Sequence, residues 1–179
     1  MRLFYGLSLP DDVRRCAASH AQQLAAQFPG RYVPEQNYHI TLTFLGDVPA
    51  ERMDDAQDVL RRCILSVPPP TLTLGETGFF SSREKAIVVI HVKDSPSLYP
   101  LHQSLVQALD AAGLPADHGP FSPHITLARR VSLPNSVLPA CKPRSFSPAH
   151  AHLYLSARNE LNILTYTPIF SVPFVHHPL

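Results

Sequence analysis

Tyr38-His39-Ile40-Thr41-Leu42-Thr43-Phe44-Leu45 is the clearest strand in the sequence, and its tetrapeptide His39-Ile40-Thr41-Leu42 returns unchanged as His124-Ile125-Thr126-Leu127. One His-x-Thr is expected about 0.45 times by chance at this content of histidine and threonine, so a single copy means little. An identical pair in two strand-like segments means far more. Side chains alternate along a strand, which predicts that Ile40, Leu42 and Phe44 face the core while His39 and Thr41 share the open face, about 7 Å apart. Two such pairs, from two similar halves facing each other, would converge on one small anion.

The rest of the chain is read outward from these strands. Arg2 to Ser8 is a short apolar stretch, and Pro10-Asp11-Asp12 opens an Ala/Gln/Leu-rich helix that runs to about Phe28 and stops at Pro29-Gly30. Gly46-Asp47 closes the first motif strand, and a second helix spans about Ala50 to Ser66 before Pro68-Pro69-Pro70 breaks it. Thr71-Leu72-Thr73-Leu74 and Ala86 to Val92 read as strands. Leu98, Leu101, Leu105 and Leu109 mark a third helix, ended by Gly113 and Pro115. The second motif lies in a strand from Pro123 to Val131, and further strands are expected at about Ala151 to Ala157 and Leu161 to Val172. This order predicts an α+β protein with antiparallel or mixed sheets. A doubly wound sheet is disfavoured, because no Gly-rich phosphate loop follows the first strand.

Length and composition narrow the class. With 179 residues the chain is read as one domain, 1–179, and two small lobes sharing a cleft also fit. No apolar run approaches the ~18 residues of a membrane span, and the first ten residues lack the pattern of a signal peptide, so a cytoplasmic protein with no membrane contact is expected. Cys16, Cys63 and Cys141 are an odd number without metal-type spacing and read as buried free thiols. A net charge of +1 argues against wrapping long nucleic acid by charge alone, while a small phosphate-bearing end remains compatible.

Phosphodiester hydrolysis needs one group to take a proton from water and another to give one to the leaving oxygen. Histidine suits both tasks near neutral pH, each transfer being worth about 10²–10⁴ in rate. A threonine hydroxyl can donate to a non-bridging phosphate oxygen. Nothing in this set calls for a metal or any other cofactor.

Asn37 to Val48 and Pro120 to Arg129 closely resemble the paired His-x-Thr-x motifs of the two-histidine phosphoesterase superfamily, within it the RNA 2′,3′-cyclic phosphodiesterases, also known as the bacterial and archaeal 2′-5′ RNA ligase family. The opening Arg2 to Pro10 and the late Tyr166-Thr167-Pro168 are similar to that group too. The resemblance implies a bilobal α+β fold with two pseudo-symmetric sheets, flanked by helices, around a central cleft. It implies His39 as proton donor to the leaving ribose oxygen, His124 as the base that activates water, and Thr41 and Thr126 as phosphate-binding residues. The implied substrate is an RNA end carrying a 2′,3′-cyclic phosphate, opened to a 2′-phosphomonoester, with ATP-independent 2′-5′ joining as a related reaction. A monomer with no obligate protein partner is expected.

Beside the motifs, Arg129 matches a basic position in relatives, whereas strict alternation puts Arg130 on the His124 face; a bulge near Ala128 would reconcile the two. Phe4 and Phe121 are candidate base-stacking residues, with Tyr5, Phe79 and Phe80 as further aromatic candidates. His150-x-His152 is read as solvent-facing rather than metal-binding, and His176-His177 as a frayed terminus. The rival readings are a non-catalytic RNA-end or nucleotide-binding module, a phosphodiesterase for another cyclic phosphate such as ADP-ribose 1″,2″-cyclic phosphate, an RNA 3′-end processing enzyme, and a metal-dependent hydrolase.

Overall fold

Strand β1 (Arg2–Ser8) buries five of its seven residues and lies at the centre of the first of two sheets. Helix α1 (Asp11–Ala25) begins with Asp11 and Asp12, whose carboxylates suit the positive end of the helix dipole, and buries Val13, Ala17, Ala21 and Leu24 along one stripe. There follow β2 (Arg31–Tyr32), β3 (His39–Asp47), α2 (Met53–Leu65), β4 (Leu72–Phe80), β5 (Ala86–Lys93), α3 (Leu98–Ala111), β6 (His124–Val131), β7 (Ser145–Phe146), β8 (His150–Arg158) and β9 (Leu164–Pro173). The computed structural model describes residues 1–93, 96–133 and 137–175; His176 and His177 lie outside them.

The sheets run β3-β1-β8-β9 and β2-β6-β5-β4-β7, and the pairings described are antiparallel throughout. The fold is therefore α+β with two antiparallel sheets around a cleft. The unit β1-α1-β3 is echoed by β5-α3-β6, and in each the strand–helix–strand ends on a motif strand paired antiparallel with the unit's first strand. Helix α1 packs on β6, α3 on β3, and α2 on α3, β8 and β9. One apolar core fills the space between, and the buried Tyr5 hydroxyl reaches across it to donate to the Ala56 carbonyl of α2 at 2.6 Å.

Several elements differ from the sequence reading. Helix α1 ends at Ala25 rather than about Phe28, where the Gln27 and Phe28 amides turn back to the Leu24 carbonyl. The strand expected at Thr71 to Leu74 continues to Phe80, because Gly75 and Gly78 do not end it. Gly75 sits at a register shift against β5, and the bare backbone of Gly78 makes room for the His91 ring. Two-residue strands such as β2 and β7 are too short to leave a periodic pattern.

Both motif strands carry a bulge at the same place. In β3, Thr41 pairs with Gly6 and Thr43 with Tyr5, leaving Leu42 without a partner. In β6, Thr126 pairs with Val89 and Ala128 with Val88, leaving Leu127 likewise. An extra residue reverses the alternation beyond it. Burial follows the reversal: Leu42 and Thr43 are both buried and Phe44 is exposed; Leu127 and Ala128 are both buried and Arg129 is exposed. The expectation that Phe44 faces the core with Ile40 and Leu42 is thereby corrected, since its side chain is 48% exposed.

A Cβ on Gly75 would stand 2.8 Å from the His91 backbone carbonyl oxygen, which cannot swing aside as a side chain does. Gly75→Ala is expected to cost about 1–3 kcal/mol of stability, read as a lower urea midpoint at unchanged slope. An unshifted midpoint would contradict this packing.

Candidate active site

Each motif histidine is fixed by a hydrogen bond to the carbonyl two residues before it. His39 Nδ1 donates to Asn37 O and His124 Nδ1 to Ser122 O, both at 2.7 Å. A carbonyl only accepts, so Nδ1 carries the proton and the second nitrogen, Nε2, is the one that titrates. The Thr41 hydroxyl donates to His39 Nε2 at 3.1 Å, so the hydroxyl lies beside the reactive edge of the ring. Asn37 is itself clamped: its side-chain amide donates to the Leu164 carbonyl at 2.8 Å, and the Tyr166 amide donates to its Oδ1 at 3.4 Å. The buried Asn37 thus sets His39 from β9, a function the sequence reading missed, having quoted Asn37 only as the start of the motif segment.

His39, Thr41, His124 and Thr126 line one cavity of about 570 Å³ between the sheets. Arg2, Arg129 and Arg158 also line it, and no carboxylate is among the lining residues. In a chain of net charge +1 this is a strong local bias toward an anion. The size lies within the ~300–1,000 Å³ usual for small-molecule sites, ample for more than a bare phosphate.

The two halves surround their imidazoles differently. The His39 ring packs on Phe4 (centroids 4.8 Å apart), Tyr166 (4.9 Å) and Tyr154 (5.7 Å). His124 meets the edge of Phe80 at 4.9 Å and lies opposite His91 on β5. Burial is the main cause that lowers both pKa values, His39 to about 4. The carbonyl bonds at Nδ1 oppose it. Arg129 lowers both, and beside it His124 acts on His39 and His91 on His124.

The remaining sequence candidates separate. Arg129 lines the cavity, while Arg130 adopts a left-handed backbone conformation (φ 55°), is exposed and does not line it. The bulge at Leu127 accounts for the choice. Phe4 is 1% exposed and enclosed by His39, Phe44, Tyr154 and Tyr166, so it supports the histidine and leaves no open face for a base. Phe121 stacks on His102 at 4.3 Å and meets Tyr99 edge-on, outside the cavity that holds the four motif residues. His152, expected to face solvent, is half-buried and shares a hydrogen bond with the Ser171 hydroxyl at 2.8 Å. Among the described residues no cluster of metal-ligating side chains is found, and no helix is long and apolar enough to cross a membrane. Cys16, Cys63 and Cys141 are free thiols, the first only half-buried.

An RNA 2′,3′-cyclic phosphodiesterase of Escherichia coli is 33% identical over 87% of this chain and 87% of its own length. A Geobacillus stearothermophilus protein of the same name is 30% identical over 71% of this chain, a match that spans 41% of that longer relative. The crystal structure of E. coli LigT complexed with 3′-AMP superposes with a TM-score of 0.78 at 27% identity, covering 98% of both chains. Residues 10–160 match the 2′-5′ RNA ligase superfamily, and the chain belongs to that family.

Proposed function

We propose that this chain, residues 1–179 acting as one catalytic unit of two similar halves, hydrolyses the 2′,3′-cyclic phosphate at an RNA end to a 2′-phosphomonoester by metal-independent general acid–base catalysis. The observation that carries the reading is the pair of imidazoles, each held through Nδ1, each followed by a threonine, on one arginine-lined cavity. Water attacks phosphorus as His124 Nε2 takes its proton. The bond from phosphorus to the 3′ oxygen breaks, and His39 Nε2 gives that oxygen a proton. Thr41, Thr126 and Arg129 donate to the non-bridging oxygens, where negative charge builds in the transition state.

The division of labour has a physical basis. The aromatic packing around His39, with Phe4 tilted at 38° to its ring, favours an imidazolium there once a phosphate has compensated the burial. His124 lies closer to open cleft and suits an incoming water. A 5′-hydroxyl in place of water would be activated by the same base and yield a 2′-5′ linkage without ATP. The setting proposed is cytoplasmic, in keeping with three free thiols, with the protein acting as a monomer whose partner is the RNA end.

On a short RNA ending in a 2′,3′-cyclic phosphate, with EDTA present, wild-type protein is expected to form a 2′-phosphate, and His39→Ala or His124→Ala to lower kcat by at least about 10². An RNA end that binds without turnover would leave a binding module instead. Arg129→Ala is expected to lower kcat/KM by about 10². Arg130→Gly, which relieves a left-handed backbone and removes only an exposed side chain, should stay within a factor of about two. Equal losses at both arginines would refute the assignment to Arg129.

Catalysis needs one imidazole protonated, and both are pushed below the ordinary histidine value by burial. At pH 7 the free enzyme is therefore mostly doubly neutral, and its active fraction grows as pH falls. A bound phosphate anion raises both values. The kcat/KM profile is expected to be bell-shaped with its maximum below about pH 6.5, and the kcat maximum to lie at higher pH. A kcat/KM maximum above pH 8 would contradict this charge balance.

A further inference from the structure

Beside the main cavity lies a smaller hollow of about 80 Å³, whose walls include Thr41, Thr43, Phe44, His102, Asp117 and His124. Thr41, Phe44 and His124 line the main cavity as well, so the two spaces meet at the motif residues. We propose that this hollow is a water site, from which the attacking water reaches His124 while an RNA end fills the main cavity. This rests on the cyclic phosphodiesterase reading of the same site.

Size and polarity select the occupant. At ~30 Å³ per molecule the hollow has room for about two or three waters and none for a nucleotide. Thr43 is 3% exposed, and its buried hydroxyl has no hydrogen-bond partner among the described residues. A hydroxyl shut away from solvent is costly unless something bonds to it, and a water in the hollow supplies that bond. Other walls offer a water further partners. His102 gives its Nδ1 proton to the Leu42 carbonyl and so keeps a lone pair on Nε2, and the Asp117 carboxylate spends one acceptor position on the Gly119 amide. Asp117 and Gly119 are exposed, so the hollow runs from the surface to the base of the reaction. Water and a bulky nucleophile then come to phosphorus by different routes, which favours hydrolysis over joining.

The walls are held without the Thr43 hydroxyl. Strand β3 is the edge of its sheet, and along it the Phe44 carbonyl accepts from the Asp117 amide at 3.0 Å while the Leu42 carbonyl accepts from His102 at 2.7 Å. The His102 ring is stacked in turn on Phe121 at 4.3 Å. Thr43→Val, which keeps the branched shape and removes only the hydroxyl, should therefore leave the hollow open, and a thermal melt checks that the variant folds.

The test lets two nucleophiles compete for a short RNA ending in a 2′,3′-cyclic phosphate, in water containing glycerol. Either nucleophile bonds through oxygen to phosphorus and yields its proton to His124; the bond to the 3′ oxygen breaks, and that oxygen takes the His39 proton. Water gives a 2′-phosphate and glycerol a glyceryl 2′-phosphodiester. Glycerol has the bulk of about four waters, more than the hollow holds, and so enters by the main cavity. Thr43→Val is expected to lower kcat for the 2′-phosphate about fivefold and to leave the glycerol product unchanged, while Thr43→Ser, which keeps the hydroxyl, matches wild type. The ratio of the two products is independent of how much of a variant is folded, so it is read even where the melt shifts. If wild type forms both products and Thr43→Val leaves their ratio unchanged, the water site is refuted while the activity stands. If wild type forms neither, the activity reading falls and this inference falls with it.

Discussion

A peptide group left out of its ladder by a bulge must find another partner, because an unpaired buried carbonyl costs about as much as a lost hydrogen bond. Both motif strands meet this constraint one residue after their threonine. The Leu42 carbonyl is answered by His102 Nδ1 from α3, and the Leu127 carbonyl by the Val33 amide just after β2, each within 2.8 Å. The leucine side chains stay in the core, 1% and 0% exposed, each worth about 1.5–3 kcal/mol of burial. Those anchors hold the bulges in register, and the register decides which side chains beyond the motifs enter the cleft. The site therefore depends on two carbonyl bonds that touch no substrate.

The duplicated scaffold gives two similar imidazoles but unlike neighbourhoods. Gly6 opposite Thr41 leaves space in which the Phe4 and Tyr154 rings close over β1, whereas Val89 occupies the corresponding place opposite Thr126. The β3 half is consequently aromatic, and the β6 half carries Arg129, His91 and Phe80 around its histidine. Phosphoryl chemistry uses such asymmetry. The leaving side needs a group that keeps a proton until the bond breaks, and the attacking side needs a lone pair open to water.

The paired tetrapeptides were legible because they joined a fold signal to a chemical one: alternation put His and Thr on one face, and repetition made two faces. The strands and helices were legible from the same periodicities, although the strand read over Thr71 to Leu74 runs on through Gly75 and Gly78, both points of close approach to His91. Phe44 was misread for a definite reason. Ile40, Leu42 and Phe44 keep a perfect period of two, and only Leu45, apolar but out of phase, hinted that the strand changes face. The bulge near Ala128 was anticipated because two arguments about Arg129 and Arg130 disagreed; no such disagreement drew notice to β3. Asn37, Tyr154 and Tyr166 act through contacts 115 or more residues away in sequence, of which no local pattern gives sign.

The resting charge of the cleft follows from the same packing. Burial lowers both imidazole pKa values and so disfavours two cations beside Arg129. A phosphate monoanion entering that space replaces lost hydration as the partner of a proton, and protonation and binding then favour each other by equal factors, as linkage requires. Burial takes His39 down to about 4, and Arg129 lowers both imidazoles, so a proton on either ring depends on an anion to partner it. In the proposed direction, water to His124 and His39 to the leaving oxygen, a scaffold of twofold likeness supplies two similar imidazoles, and their unlike surroundings carry the asymmetry.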